Sequence, residues 1–307
     1  MGLVVLTAGA VLLVRGGASV ARRLGLSPLV IGLTIVAFGT SAPEMIVSVA
    51  GAANGQGDIA LGNVVGSNIF NLGVILALTA LISPINVKLG LLKVDAPFMI
   101  GVSLLAVWLA RFETIARPAG VVLLVLLIGY TVFSVRLAKG QGDDPELARE
   151  FENGVPGRLR SVWAEIVLVV GGLGLLMLGS EIFVGSAVTV ARAFGVSEAV
   201  IGLTIVAAGT SMPELATSAV AALRGQSDIA IGNVIGSNIF NVLGSLGLAA
   251  SVQPLSAPGV GRFDLWVMIA FSVALLPMLW TGRRLQRLEG GLLLAGYVGY
   301  LWTLWPK

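Results

Sequence analysis

Two blocks of sequence recur at one fixed distance, and each buries an acid in apolar surroundings. Residues 32–44 read G-L-T-I-V-A-F-G-T-S-A-P-E, and residues 202–214 read G-L-T-I-V-A-A-G-T-S-M-P-E. A second block follows each, G-D-I-A-L-G-N-V-V-G-S-N-I-F-N at 57–71 and S-D-I-A-I-G-N-V-I-G-S-N-I-F-N at 227–241. The offset is the same for both, 202 − 32 = 227 − 57 = 170, so the two windows align without a gap. The chain is therefore a duplication, and Glu44 and Glu214 occupy equivalent places in it.

Apolar stretches of bilayer-spanning length, roughly 17–25 residues, can be laid down ten times. They fall near 2–21, 28–52, 59–82, 94–111, 116–136, 162–190, 198–222, 228–251, 263–281 and 290–305. With 56% hydrophobic and 11% charged residues and a mean hydropathy of +0.97, the composition is that of a membrane protein, since soluble chains average about 25% charged. The first stretch reads as a retained helix rather than a signal peptide, because Arg22 and Arg23 follow it and no basic segment precedes it. Lys139 to Arg160 is the one long polar segment, and it divides the spans five and five. The expected organisation is a first repeat over 1–137, a linker over 138–161 and a second repeat over 162–307.

Basic residues set the orientation. Loops after the odd-numbered spans hold Arg22, Arg23, Lys88, Lys93, Arg136 and the linker cations, with Arg224, Arg283, Arg284 and Arg287; the other side holds Arg111, Arg117, Arg192, Arg262 and Lys307. The richer side is expected to be cytoplasmic, which puts both termini outside and the linker inside. Five spans is an odd number, so the second repeat enters from the opposite side. The expectation is an all-α membrane protein of two inverted five-helix repeats, with a site at their interface near the midplane.

The residue inventory narrows the chemistry. There is no cysteine and no histidine, so thiolate, disulfide, imidazole-zinc and Ser-His-Asp chemistry are excluded. A bound metal must be held by oxygen, which favours hard cations such as Ca²⁺, Mg²⁺ or Na⁺. The sequence pI near 9.6 needs no nucleic-acid partner, because membrane orientation accounts for the positive charge.

Glu44 and Glu214 each sit near the middle of a span, one residue after a proline. An ionised carboxylate at that depth costs around 2.5–3.5 kcal/mol on insertion scales. No lysine or arginine lies at comparable depth to pair with either, so facing carboxylates need a divalent cation, two monovalent cations or protons. Pro43 and Pro213 lack an amide hydrogen and free the carbonyls of Gly39 and Gly209 for ligation, or merely kink the helices for packing. Ser67 and Asn71 share a helix face at i, i+4, as do Ser237 and Asn241. Their neutral oxygens suit a releasable cation site, with interhelical hydrogen bonding as the alternative. The G-x-x-x-G pairs Gly62/Gly66 and Gly232/Gly236 read as close-packing surfaces. Asp58, Asp228, Asp95 and Asp264 begin spans and read as N-caps. Glu181 is either a snorkelling surface group or part of an outward path.

The paired G-T-S-x-P-E and G-N-V-x-G-S-N-I-F-N blocks resemble the two α-repeats of the cation/calcium exchanger superfamily, most closely its bacterial and archaeal sodium/calcium antiporters. The likeness extends to A-R-R-L-G-L-S-P at 21–28 and A-R-A-F-G-V-S-E at 191–198. It implies a ten-helix exchanger fold working by alternating access. It also implies a Ca²⁺ site of Glu44, Glu214, Thr40 and Thr210, with Na⁺ using Ser41, Ser67, Asn71, Ser211, Ser237 and Asn241, and the carbonyls of Ala37 and Ala207 contributing. Some relatives carry Asp where this chain has Asn71 or Asn241, which removes a charge here. Proton-coupled relatives tend to replace the T-S-x-P-E element, so Thr-Ser in both copies favours sodium as the driving ion.

The expected function is thus Ca²⁺/Na⁺ antiport across the plasma (inner) membrane, with H⁺/Ca²⁺ exchange as the alternative. Transported Ca²⁺ and Na⁺ and the bilayer are the expected partners. No cofactor and no obligatory protein partner are expected. A channel fits less well, because one chain completes the site. An intramembrane protease fits less well again, because such acid pairs favour Asp.

Overall fold

The computed structural model describes residues 1–139, 161–194 and 207–304. Its helices fall where spans are expected. They are α1 (Gly2–Leu24), α2 (Pro28–Thr40 and Ala42–Ala53, bent by 46°), α3 (Gly57–Ile82), α4 (Leu91–Leu109) and α5 (Arg117–Lys139). The second half gives α6 (Val162–Ala193), α7 (Ala207–Thr210 and Met212–Leu223), α8 (Ser227–Val252), α9 (Arg262–Trp280) and α10 (Arg287–Leu304). Seven of these are long and apolar enough to cross a membrane, and the bent α2 makes an eighth. Residues 198–206 of the predicted seventh span lie outside the described residues. The protein is an all-α integral membrane protein.

Local chemistry sets the breaks. Ser27 accepts from the Val30 amide at 3.4 Å and Pro28 occupies the first turn, so α2 starts there. Gly55 and Gly225 both adopt φ 71°, which lets the α2–α3 and α7–α8 connections reverse within a few residues.

Two short pairings reveal the inversion. Strand β1 (Ile85–Asn86), after α3, pairs antiparallel with β2 (Arg284–Leu285), after α9. Ile115, after α4, bridges Leu255, after α8. These are one contact repeated, since 255 − 85 = 285 − 115 = 170. The full length of α4 separates Ile85 from Ile115, so the equivalent positions Ile85 and Leu255 sit at opposite ends of the bundle. Two copies related in this way are inverted.

The centre belongs to α3 and α8. The apolar window of α8 is 100% buried and that of α3 72%, against 22% for α5 and α6. Gly232 and Gly236 bring α8 onto α2: a Cβ at Gly232 would lie 2.7 Å from the Leu29 carbonyl oxygen, and one at Gly236 2.7 Å from that of Leu33. The second G-x-x-x-G pair is thus a packing surface. A Cβ at Gly62 would meet only Val260, at 3.9 Å, and one at Gly66 meets nothing within 4 Å among the described residues.

Helices α1 and α6 lie side by side along a glycine seam with a seven-residue period. Gly9 faces Gly172, Gly2 faces Gly179 and Gly16 packs on Leu168 and Val169, and a Cβ at Gly9 would stand 2.7 Å from the Leu176 amide nitrogen. Small residues allow such backbone approach where no hydrophobic drive separates helix from lipid. At one end of the seam Glu165, 1% exposed, accepts from Ser19 Oγ at 2.6 Å and pairs with Arg23. Arg23 therefore does more than flank the membrane.

Three of the four span-initial aspartates do not cap their helices. Asp58 Oδ1 accepts from the Gly259 amide at 2.7 Å, and Asp228 pairs with Lys88 at 3.3 Å. Asp95 lies within α4 and accepts from Tyr130 Oη at 2.9 Å. Asp264, in the first turn of α9, accepts from the Gly261 amide at 3.2 Å and from Tyr300 Oη at 2.8 Å. Asp58, Asp228 and Asp95 find their partners on other segments, whereas Asp264, third residue of α9, caps that helix by accepting from the N-cap amide of Gly261 and reaches Tyr300 on α10 as well.

The seam makes a directional prediction. Gly172→Ala should destabilise the purified protein by about 1–3 kcal/mol through overpacking, although alanine is the better helix former. Gly171→Ala, with nothing within 4 Å of its added Cβ, should be neutral or stabilising by up to about 1 kcal/mol. Denaturation of the two variants in one detergent checks the contrast.

Candidate cation site

Both glutamates stand just beyond a helix break. Ser41 leaves helical geometry (φ −80°, ψ 4°) between the two pieces of α2, and Ser211 does the same (φ −89°, ψ 10°) in α7. The prolines fall in the first turn of the new helix, so each break is the one their missing amide requires. Glu44 and Glu214 follow at once, and both are 0% exposed.

Each break serves the other repeat's acid. Ser211 Oγ donates to Glu44 Oε1 at 2.8 Å, and Ser41 Oγ donates to Glu214 Oε1 at 3.0 Å. A residue three positions before one glutamate can reach the other only if the two turns meet face to face. Ser237 Oγ adds a longer contact to Glu214 Oε1, at 3.4 Å. The Thr210 hydroxyl lies at the Glu44 carboxylate and the Thr40 hydroxyl at that of Glu214. The single Thr40 O–H has further acceptors within reach, Asn233 Oδ1 at 3.1 Å and the Ala37 carbonyl at 3.4 Å.

What remains is a set of acceptors. Glu44 Oε2, Glu214 Oε2, Ser67 Oγ, Asn71 Oδ1 and Asn241 Oδ1 are buried and have no hydrogen-bond partner among the described residues. An unmet buried polar group costs about 1–3 kcal/mol, more if charged, and native proteins tolerate few. These come from α2, α7, α3 and α8, carry two formal charges between them, and suit a hard cation's preference for oxygen. Asn71 and Asn241 also make the interhelical bonds that stood as the alternative to ligation: their Nδ2 atoms donate to Asn238 Oδ1 at 2.9 Å and Asn68 Oδ1 at 3.1 Å. The two uses fall on opposite ends of the same amide.

The carbonyls divide. Gly209 O is taken by Ser180 Oγ at 2.7 Å, so the oxygen freed by Pro213 closes a contact to α6 instead of facing a cation. Ala37 O accepts from the Ser41 amide at 2.9 Å and, at the longer 3.4 Å, from Thr40 Oγ1. Ala207 is the first described residue of α7, and its helix carries Thr210. Glu181 is exposed on α6.

Two further residues anchor the glutamate turns. Asn63 Nδ2 donates to the Glu44 carbonyl at 3.1 Å and to Ser48 Oγ at 3.0 Å. Asn233 Nδ2 donates to the Glu214 carbonyl at 3.4 Å and to Ser218 Oγ at 3.0 Å. The signal for them lay in the repeat itself, where the asparagines at 63 and 233 are identical between copies.

The chain matches the sodium/calcium exchanger protein family over residues 1–136 and 164–305. It is 42% identical over 312 residues to CaxA of Alkalimonas amylolytica, covering 100% of this chain and 97% of that protein. It is 35% identical to the inner membrane protein YrbG of Escherichia coli, covering 99% and 95%. The solved structure of the sodium-calcium exchanger NCX_Mj, soaked with Na⁺ and Sr²⁺, matches with a TM-score of 0.84 at 33% identity, over 99% of this chain and 96% of that one. This is a family of ion exchangers and not of enzymes. Matched along both halves, and sharing its fold with a solved member, the chain belongs to the sodium/calcium exchanger family.

Proposed function

We propose that this protein is an antiporter that exchanges Ca²⁺ for Na⁺ across the plasma membrane, using one oxygen-lined site at the junction of its two repeats. The observation that carries the reading is the set of five buried, unpartnered oxygens, two from the carboxylates and three from Ser67, Asn71 and Asn241. Two negative charges match one Ca²⁺ or two Na⁺, and neutral Ser67, Asn71 and Asn241 oxygens complete a shell without adding charge. Because both cargoes need the same carboxylates, they exclude each other, and that competition is what couples their fluxes. Thr40, Ser41, Thr210 and Ser211, two of which tie the carboxylates across the repeats, support sodium as the driving ion.

The proposed organisation follows the duplication: repeats over 1–137 and 162–307, joined by a cytoplasmic linker over 138–161, with both termini outside. The name of the relative YrbG, an inner membrane protein, supports the location.

Three measurements test this reading. In proteoliposomes containing only this protein, an outward Na⁺ gradient should drive ⁴⁵Ca²⁺ uptake that survives collapse of any pH gradient. Uptake that instead follows the pH gradient and ignores Na⁺ assigns the exchange to protons.

Glu44→Gln and Glu214→Gln, at wild-type membrane levels, should each lose transport by roughly a hundredfold or more, since an amide cannot balance the cation's charge. Saturating Ca²⁺, at about a hundred times its dissociation constant, should stabilise the wild type by about 2.7 kcal/mol and these variants scarcely at all.

For orientation, the absence of native cysteine makes single-cysteine labelling clean. A membrane-impermeant maleimide applied to intact spheroplasts should label Glu113→Cys and spare Leu89→Cys; the reverse pattern would invert the topology.

A further inference from the structure

Asparagine amides pose a problem that carboxylates do not. The two ends of the group have nearly the same shape, but one is an acceptor and the other a double donor. A cation site that uses Asn71 and Asn241 works only if both present oxygen. An amide turned over would aim N–H dipoles at the ion.

The structure contains a device that sets this choice twice. Asn71 Nδ2 donates to Asn238 Oδ1 at 2.9 Å, and Asn241 Nδ2 donates to Asn68 Oδ1 at 3.1 Å. The two bonds are one interaction repeated, since 241 − 71 = 238 − 68 = 170. Each runs between repeats, from the helix carrying one ligand to the helix carrying the other. Asn68 and Asn238 are in turn oriented from behind. Asn68 Nδ2 points to the Asn238 carbonyl at 3.2 Å and to Met268 Sδ at 3.9 Å, while Asn238 Nδ2 points to Met99 Sδ at 3.6 Å. A carbonyl oxygen and a thioether can only accept, so the amide nitrogens must face them and the amide oxygens must face Asn71 and Asn241. Both outer asparagines are 0–1% exposed, so no water competes for the contact.

We infer that Asn68 and Asn238 are positioning residues of the cation site, each holding the ligand asparagine of the opposite repeat with its oxygen toward the ion. The inference rests on Asn71 and Asn241 being ligands, as proposed above. It also says what an ionised aspartate at either ligand position would lose in this chain. A carboxylate there would have no N–H to give, and its oxygen would oppose the oxygen of Asn68 or Asn238.

A double-mutant cycle separates orientation from packing, because a carboxylate ligand has two identical ends and needs no orienting. Half-saturating Ca²⁺ for transport in proteoliposomes is measured for wild type, Asn68→Leu, Asn241→Asp and the double variant. Asn68→Leu is expected to raise half-saturation about five- to tenfold, the size of one lost hydrogen bond, with the maximal rate within about twofold of wild type. In the Asn241→Asp background the same substitution should be neutral or should tighten binding. An equal loss in both backgrounds, or no loss in the wild type, overturns the inference and assigns Asn68 to packing. Asn241→Ala distinguishes the two levels: unchanged Ca²⁺ and Na⁺ half-saturation would remove Asn241 from the ligands and overturn the reading beneath as well. Should Asn68→Leu fail to fold, the pseudo-symmetric cycle of Asn238→Leu with Asn71→Asp carries the same test.

Discussion

Two carboxylates enclosed together in a low-dielectric interior are the constraint that orders this molecule. Neither Glu44 nor Glu214 has any exposure, and a buried ionised acid is tolerable only with compensating charge and hydrogen bonds. The protein supplies hydroxyls from the opposite repeat to each, Ser211 to Glu44 and Ser41 to Glu214, and leaves the second oxygen of each unmet among the described residues. The proposed exchange assigns that compensation to a cation that arrives and departs. A site fully satisfied by protein groups would be a structural ion pair. A site satisfied by a mobile cation is a transport intermediate.

The duplication makes this arrangement economical in geometry. One five-helix unit, used twice in opposite orientation, brings equivalent helix breaks nose to nose, so the contacts that bridge the repeats at the site occur in pairs. The serine-to-glutamate bonds, the asparagine pairs and the two loop pairings all obey the 170-residue offset. The departures from symmetry mark where the halves differ. Gly209 O is closed by Ser180, and Asp228 takes a lysine where its counterpart Asp58 takes a backbone amide.

Most of the site was legible in the sequence because its members are polar residues in segments that otherwise tolerate none. Glu44, Glu214 and the Ser-Asn pairs stand out against apolar neighbours, and repetition removes coincidence as an explanation. What was not legible depended on contacts between distant helices. The glycine seam of α1 and α6 pairs residues more than 150 apart, and Gly2, Gly9 and Gly16 look unremarkable within their own helix. Glu165 reads as a charge at a span's edge until Ser19 and Arg23 are seen beside it. Asp58, Asp228 and Asp95 failed as N-caps for the same reason, since Gly259, Lys88 and Tyr130 lie on other segments. Asn63, Asn68, Asn233 and Asn238 stood inside the repeated block, but only their partners reveal which amides face the site and which hold others in place.

The central claim is that one carboxylate pair serves both ions in turn. Equilibrium Ca²⁺ binding to the purified protein, measured across a series of Na⁺ concentrations, tests it most directly. The account predicts that Na⁺ displaces Ca²⁺ fully and with a slope above one, because two carboxylates need two sodium ions. Ca²⁺ affinity that stays constant as Na⁺ rises would contradict it.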